Sequence, residues 1–275
     1  MQDTPILKTL MQNWKLTLAY DGTAFHGWQV QPGLATIQGE LQAALHRILG
    51  GHEPAPLPQG SGRTDTGVHA LGQVASFMLA APIPPENLLR ALNRTLSPAI
   101  RVFDVQTVGS AFHARHSAVA KTYEYRIFRG TFCSPFLAPY VHCSTWALDM
   151  AALHQAARDV VGEFDFASLA ASEPDLAVRE ENDEGMPRST VRTIFSSAWT
   201  EEDGDLLIYR VRGSGFLHHM VRNLVGTMLE IARGQFPAGS MPAILAARAR
   251  SAAGPTAPAK GLFLHSVEYL LDSLL

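Results

Sequence analysis

Polar and apolar residues alternate between Trp14 and Tyr20, with the period of two that is typical of a half-buried strand. The dipeptide Asp21-Gly22 follows this segment as a turn. Between residues 36 and 49 the apolar side chains recur at helical spacing instead, which predicts an amphipathic helix. Thr36 is the expected N-cap of that helix, and Gly50 stands just after its end.

Strand and helix patterns continue along the chain and come twice in similar succession. In the first half they predict a strand at 74–77, a helix at 85–96 and a strand at 100–107. In the second half they predict a strand at 122–127, a helix at 149–161, a hairpin of 190–200 and 206–211 around Asp203-Gly204, a long helix at 216–233 and a last strand at 262–270.

This double succession favours an α+β fold with two halves that join near Gly109. Two antiparallel sheets could merge into one large sheet and leave a central cleft between the halves. Clefts at domain junctions are common binding sites for ligands. We detect no residue-level repeat between the halves.

Composition limits the class of protein. With 275 residues, of which 47% are apolar and 17% charged, the chain can bury a large core. No apolar run approaches the roughly 20 residues that span a bilayer, and residues 1–12 lack the apolar core of a signal peptide. The two cysteines, Cys133 and Cys143, suit a reducing cytosol and form no zinc-binding spacing. We therefore expect a cytoplasmic protein.

The formal net charge of -3 conceals an uneven distribution. Ten of the 25 acidic residues lie in the segments 173–184 and 201–205, which contain only one base, Arg179. The rest of the chain has 21 bases against 15 acids, a net charge of +6, and 18 of all 22 bases are arginine. Arginine suits bidentate contacts with phosphates, so the chain could form a basic groove although its net charge is negative. Scattered, solvated arginines would give the same composition.

The segment 60–70 contains three glycines, a carboxylate, a guanidinium, three hydroxyls and an imidazole. Glycines let a backbone turn sharply and approach a ligand closely, and such a loop could present Asp65 as a reactive carboxylate. The alternative is a tight turn in which Asp65 only caps the backbone. A phosphate-binding P-loop does not fit, because no Gly-Lys-Ser/Thr follows.

Three further segments contain candidate binding residues. In the segment 112–116, His113 and Arg115 could grip phosphates beside an aromatic ring, although such residues are more often simply exposed. In the segment 121–126, Tyr123 and Tyr125 share one face of a strand, where a tyrosine either stacks on a nucleobase or fills the core.

The third segment, 213–223, is expected to open the long helix, with free amides that attract anions and with Arg222 two turns in. His218 and His219 would point about 100° apart on a helix, unlike a metal-binding pair at i and i+4. We therefore expect no metal site.

Five segments together resemble the TruA family of tRNA pseudouridine synthases, in order and at the family's spacing. They are AYDGTAFHGWQ at 19–29, GRTDTGVHA at 62–70, FHAR at 112–115, KTYEY at 121–125 and FLHHMVRN at 216–223. The resemblance runs from about Trp14 to Tyr269. It implies two ferredoxin-like α/β halves: residues 14–108 would carry the catalytic loop, and residues 109–275 would complete the RNA-binding cleft.

The resemblance also implies a function. It implies a homodimer that binds tRNA across both subunits and isomerises uridine to pseudouridine at positions 38, 39 and 40 of the anticodon stem and loop. According to this resemblance, Asp65 matches the family's catalytic aspartate, and Arg63 matches the arginine beside it that contacts RNA. Tyr123 matches the tyrosine that packs on the target base, and Arg222 the arginine that pairs with the aspartate.

Two features depart from the family pattern. Thr66 stands where the family usually has alanine, and the acidic segment 173–184 resembles an insertion in a region that contacts tRNA. The reaction involves neither redox change nor phosphate transfer, so we expect no cofactor. Two weaker alternatives are a non-catalytic RNA-binding protein and an Asp-dependent nucleoside hydrolase, although hydrolases ordinarily use a pair of carboxylates.

Overall fold

The computed structural model describes residues 11–51, 54–171, 189–203 and 205–274, and within these residues it contains ten strands and five α-helices. This content confirms the α+β fold class. The chain divides into two units, of which the first comprises Met1–Ala118 with Val267–Leu275 and the second Val119–Ser266. The acidic segment 173–184 lies outside the described residues.

The sheet of the first unit is centred on β1 (Gln12–Tyr20), which confirms the strand predicted from the alternation. It pairs antiparallel with β3 (His69–Leu79) on one side and β4 (Ile100–Val108) on the other. The short strand β2 (Gln59–Gly60) pairs with β3. β3 is much longer than the predicted strand 74–77, because the polar or small residues His69, Ala70, Gly72 and Gln73 hide the alternation at its start.

Two predicted helices of the first unit are confirmed as α1 (Ile37–Ile48) and α2 (Pro85–Thr95). Thr36 caps α1 as expected, since its hydroxyl oxygen accepts a hydrogen bond from the Gly39 amide at 3.3 Å. The two helices pack on each other, and α2 also packs on β4. Their apolar stripes are fully buried through Leu41, Leu45, Leu88 and Leu92.

The second unit contains the antiparallel strand order β5-β9-β8-β7. Its strands are β5 (Ala118–Phe128), whose first residue belongs to the first unit, β7 (Gly162–Asp165), β8 (Val191–Glu202) and β9 (Leu206–Gly213). β8 and β9 confirm the predicted hairpin. The two-residue strand β6 (His142–Cys143) pairs with β5 in parallel, which is a local exception to the antiparallel sheets that the sequence predicts. The ferredoxin-like topology of each half stays a prediction.

Helices of the second unit differ from their predicted bounds. α3 (Met150–Arg158) packs on β8 and on α4 (Met220–Ala232), and a third helix is α5 (Met241–Ala247). Asp149 caps α3, as its side chain accepts hydrogen bonds from the Ala151 and Ala152 amides. α3 ends four residues before Gly162, and that glycine begins β7 at φ +127°.

The long helix begins at Met220 and not at residue 216, which corrects the sequence prediction. His219 lies in the left-handed region at φ +60°, and this conformation cannot continue a right-handed helix. Arg222 is therefore in the first turn of α4, not two turns in, and His218 and His219 precede the helix. The apolar pattern hid this boundary, because the apolar residues Phe216 and Leu217 precede it and further apolar residues follow it.

The last strand, β10 (Leu262–Tyr269), confirms the predicted strand at 262–270. Its first five residues belong to the second unit and its last three to the first. None of the helices in the described ranges combines the length and the apolar character that crossing a membrane requires.

Candidate active site

Arg63 and Asp65 lie on one loop of the first unit, between β2 and β3. Both side chains are partly exposed, whereas Thr64 between them is 4% exposed. The Thr64 hydroxyl makes a 2.8 Å hydrogen bond with the Tyr20 hydroxyl at the end of β1. Thr64 thus ties the loop to the core and leaves its two charged neighbours accessible.

Burial raises the pKa of the Tyr20 hydroxyl to about 12, although its hydrogen bonds with Thr64 and Gln73 act in the opposite direction. Tyr20 is 4% exposed. The hydroxyl therefore stays protonated at neutral pH and can donate to the loop. Tyr20 therefore supports the Asp65 loop as a neutral hydroxyl group.

A second segment, the turn that follows β1, lies directly against the loop. The Trp28 amide donates to the Thr64 carbonyl at 3.0 Å, and the Gly67 amide donates to the Phe25 carbonyl at 3.3 Å. A Cβ atom on Gly22 would lie 2.0 Å from the carbonyl oxygen of Val68, so only glycine fits at that position. The motif at 19–29 thus holds the motif at 62–70 in place.

The loop itself is a tight turn, as the conformational reading of its composition predicts. The Asp65 carbonyl accepts a hydrogen bond from the Val68 amide at 3.1 Å, and Gly67 between them has φ +76°. His69, which is buried, accepts the Gly22 amide proton at Nδ1 over 3.0 Å. A tight turn and an accessible, reactive carboxylate are therefore compatible, because the turn itself carries the Asp65 side chain.

His113 and Arg115 lie on a second loop of the first unit, between β4 and β5. The buried residues Phe112 and Ala114 anchor this loop, where Phe112 packs against Tyr269 with ring centroids 5.0 Å apart. The Ala114 carbonyl accepts the Tyr269 hydroxyl proton at 2.6 Å. Anchoring residues alternate with His113 and Arg115, and this alternation turns the two polar side chains toward solvent.

The imidazole of His113 is a neutral group at physiological pH. Burial and the neighbouring charges of His116 and Arg115 lower the pKa of His113 below its usual value. Its Nδ1 accepts the amide protons of Arg115 at 3.0 Å and His116 at 3.3 Å. The remaining proton therefore sits on Nε2, so His113 is a neutral donor beside the cationic, exposed Arg115.

Tyr123 belongs to the second unit and lies on β5 opposite Val211. Its ring is 8% exposed and meets the ring of Phe216 edge-on, with centroids 5.0 Å apart. Tyr125, two residues further on the same face, is fully buried and donates its hydroxyl proton to the Pro258 carbonyl at 2.8 Å. Tyr125 is thus a core residue, whereas Tyr123 keeps a small accessible surface.

Arg222 also belongs to the second unit and is partly buried in the first turn of α4. Its Nε donates to the Ala257 carbonyl at 2.7 Å, and the Ala257 amide donates to the Arg222 carbonyl at 3.1 Å. Its charge partly offsets the effect of burial, which raises the pKa of Tyr125. The connector before β10 thus fixes the arginine from one side.

Sequence reasoning did not identify the residues that hold the Asp65 loop. Tyr20 was assigned to the alternation of β1, Gly22 to a turn and both to the motif at 19–29, but no contact with this loop was expected. A tyrosine at a strand end, followed by Asp-Gly, is a weak signal of this supporting role. Tyr20 and Gly22 both contact a loop that lies about 40 positions further along the chain.

Comparison with known proteins agrees with the resemblance. Residues 17–117 and 156–270 match the family model of tRNA pseudouridine synthases. The chain is 54% identical over 261 residues to tRNA pseudouridine synthase A of Solibacter usitatus (strain Ellin6076), an alignment that covers 94% of this chain and all of that protein.

Two further relatives have the same name. The protein of Lacticaseibacillus casei (strain BL23) is 42% identical over 260 residues, which cover 94% of this chain and all of the relative. The Bacillus licheniformis protein is 40% identical over 255 residues, which cover 93% of this chain and 98% of the relative. The chain therefore belongs to the family of tRNA pseudouridine synthases.

Proposed function

We propose that this protein isomerises uridine to pseudouridine at positions 38, 39 and 40 of the tRNA anticodon stem and loop. The observation that carries the proposal is the tightly held loop that presents the Asp65 carboxylate beside Arg63. Family membership supports the same reaction. Residues 14–108 would supply this loop, and residues 109–275 would supply the remaining RNA-binding residues.

The reaction breaks the bond between ribose C1′ and N1 of uracil, turns the detached base and joins C1′ to C5. The proton on C5 is then lost and N1 gains one, so product and substrate are isomers and neither is oxidised. The Asp65 carboxylate could attack C1′, add to C6 of the base, or remove the proton from C2′ to give a glycal. All three routes require the carboxylate form of Asp65.

The family resemblance supplies the partners of Asp65, and the chemistry gives each of them a use. Arg222 would pair with the carboxylate and keep it ionised in a water-poor site, since a guanidinium binds a carboxylate with two parallel hydrogen bonds. Tyr123 would hold the detached uracil by stacking, and its phenol oxygen is a candidate acceptor for the C5 proton. Phe216, edge-on against Tyr123, would keep that ring in one orientation.

The RNA must open before the chemistry starts. A stacked uridine leaves its stem at a cost of a few kcal/mol, and the enzyme must repay that cost. Arg63 would fill the space that the flipped base leaves. His113 and Arg115, a neutral donor and a cation on one anchored loop, would bind the RNA backbone.

We further propose that the protein is a cytoplasmic homodimer that binds tRNA across both subunits. Light scattering at micromolar concentration tests the dimer, because the mass of one chain is 29.9 kDa. A mass of twice that value is expected. A monomer that retains full activity would remove this part of the proposal.

The activity itself is tested with tRNA transcripts whose uridines carry tritium at C5. Substrates in which a single uridine occupies position 38, 39 or 40 would each release tritium with the purified protein, and a transcript with cytidine at all three positions would not. Free uracil in the medium would indicate a nucleoside hydrolase. Tight tRNA binding without tritium release would indicate a non-catalytic RNA-binding protein.

A further inference from the structure

Four buried polar side chains form a hydrogen-bonded network directly beneath the Asp65 loop. They are Tyr20, Ser61, Thr64 and Gln73, and none is more than 4% exposed. Buried polar groups are costly unless they are paired, so a network at this depth constrains its members strongly. Gln73, on β3, is its central residue.

The Gln73 amide makes four hydrogen bonds. Its Nε2 donates to the Gly62 carbonyl at 2.9 Å and to the Tyr20 hydroxyl at 3.4 Å. Its Oε1 accepts the Ser61 hydroxyl proton at 2.7 Å and the Val74 amide proton at 3.2 Å. A side-chain amide has two donors and one oxygen with two lone pairs, so Gln73 is fully satisfied. Among the side chains, only asparagine offers the same groups, and it is one methylene shorter.

These bonds fix the loop on both sides of Arg63. The Gly62 carbonyl is held directly by Gln73. The Tyr20 hydroxyl accepts from Gln73 and shares a 2.8 Å hydrogen bond with the Thr64 hydroxyl. A single side chain thus orients the residue before Arg63 and, through Tyr20, the residue between Arg63 and Asp65.

We propose that Gln73 is a positioning residue that holds the Asp65 loop in its reactive conformation. The proposal rests on the proposed function, in which Asp65 acts on the uridine. Gln73 itself touches no reacting atom. Its loss would leave the Gly62 carbonyl and the Ser61 and Tyr20 hydroxyls without this partner, and the loop would shift to satisfy them. A displacement of about 1 Å at a reactive group can lower the rate about 100-fold.

The test compares Gln73→Leu with Gln38→Leu. Gln38 is a matched control, because it is equally buried and bonds the Val30 amide and the Pro58 carbonyl instead of the loop. For tritium release from C5-labelled tRNA, we expect Gln73→Leu to lower kcat at least about thirtyfold and to change KM less than about threefold. Gln38→Leu should lose similar thermal stability and keep kcat within about twofold.

Hydrogen exchange provides a readout that does not depend on activity. The Trp28 amide, which donates to Thr64, and the Val68 amide, which donates to Asp65, report on the order of the loop. Both should exchange at least about tenfold faster in Gln73→Leu than in Gln38→Leu. If the wild type released no tritium, the proposed function would fail, and the exchange comparison would still decide whether Gln73 holds the loop.

Two milder variants keep the test decisive if Gln73→Leu does not fold. Tyr20→Phe removes one oxygen atom from the network and should lower kcat about threefold to tenfold. Gln73→Asn keeps a side-chain amide and should therefore retain more activity than Gln73→Leu. Unchanged kcat in Tyr20→Phe, or equal kcat in Gln73→Leu and Gln38→Leu, would overturn the positioning role.

Discussion

Gly27 passes so close to Thr64 that a Cβ atom on Gly27 would lie 2.5 Å from the Thr64 carbonyl oxygen. Gly27 also has φ +82°, a conformation that residues with a side chain rarely adopt. The turn after β1 and the loop with Asp65 can therefore approach each other only if this residue is glycine. The close approach brings the Trp28 amide within 3.0 Å of the same carbonyl.

Gly27→Ala should accordingly displace the Asp65 loop. We expect the free energy of unfolding to fall by about 2–4 kcal/mol. The left-handed backbone strains an alanine, and its Cβ atom clashes with a backbone atom, so both effects destabilise the fold. Tritium release should fall at least about tenfold. Thermal unfolding and the tritium assay measure the two effects.

Gly33→Ala is the matched control for this change. Gly33 has φ +73° as well, but a Cβ there would meet no atom within 4 Å. The control should lose about 1 kcal/mol from the left-handed conformation alone and keep full activity. Equal activity losses in both variants would refute the role assigned to the close approach.

Asp65→Asn tests the catalytic carboxylate. The substitution preserves the shape of the side chain and removes its charge, so folding and tRNA affinity should change little. Tritium release should fall at least about a thousandfold, as for other residues that take part in bond formation. The assay is run beside thermal unfolding and tRNA binding.

Asp149→Asn is the control for a purely structural aspartate, because Asp149 caps α3 and asparagine caps helices equally well. It should leave turnover unchanged. Residual turnover of Asp65→Asn within about tenfold of wild type would correspond to only about 1.4 kcal/mol of barrier. Asp65 would then have a purely structural role, as Asp149 does.

RNA binding should weaken steeply with rising salt although the net charge is -3. Local arginines, not the overall charge, displace counterions from the phosphates. Arg63→Ala and Arg115→Ala should each reduce the slope of log affinity against log salt by about one. Arg94→Ala, which removes an exposed charge on α2, should leave the slope unchanged. Identical slopes in all three variants would argue against the assigned contacts.

Glu124 provides a prediction for stability in acid. Its side chain is 4% exposed and accepts hydrogen bonds from Nε of Arg126 and Nε of Arg210, each at 2.7 Å. Burial alone would raise the pKa of Glu124, but these two bonds and the charges of both arginines outweigh it and lower the pKa below 4.5. The ion pairs thus stabilise the fold above pH 4.5, and this stabilisation is lost as the pH falls through the lowered pKa.

Glu124→Gln should therefore reduce the free energy of unfolding by about 2 kcal/mol at pH 7, and the difference from wild type should vanish in strong acid. Glu202→Gln, at an exposed partner of Arg210, should cost less than about 0.5 kcal/mol. Denaturant titrations between pH 2 and 7 measure both variants. A difference that grew in acid would contradict the direction of the pKa change.

Turnover should survive removal of divalent metals, because the isomerisation needs neither a redox centre nor a Lewis acid in any of the three routes. After treatment with a chelator and refolding of the tRNA in magnesium, we expect tritium release within about twofold of the untreated value. A requirement for zinc that magnesium does not meet would disprove this expectation.

The amino-acid pattern was sufficient for most elements and for the motifs. Alternation identified β1, helical spacing identified α1 with its N-cap Thr36 as well as α3, and Asp203-Gly204 identified the hairpin of β8 and β9. These features depend on side chains that are close in sequence, and a period of two or of 3.6 reports directly which face is buried. The residues of GRTDTGVHA were likewise visible as a dense group of reactive side chains.

Contacts between distant segments could not be read in the same way. The start of α4 depends on the left-handed conformation of His219, and apolar side chains continue across it. Gly27 supports the Asp65 loop at Thr64, 37 positions further along the chain. Gln73 bonds Gly62, only 11 positions away, and also Tyr20, 53 positions away. Periodicity shows that a side chain is buried but does not show which segment covers it, because that choice is made only when the whole chain packs.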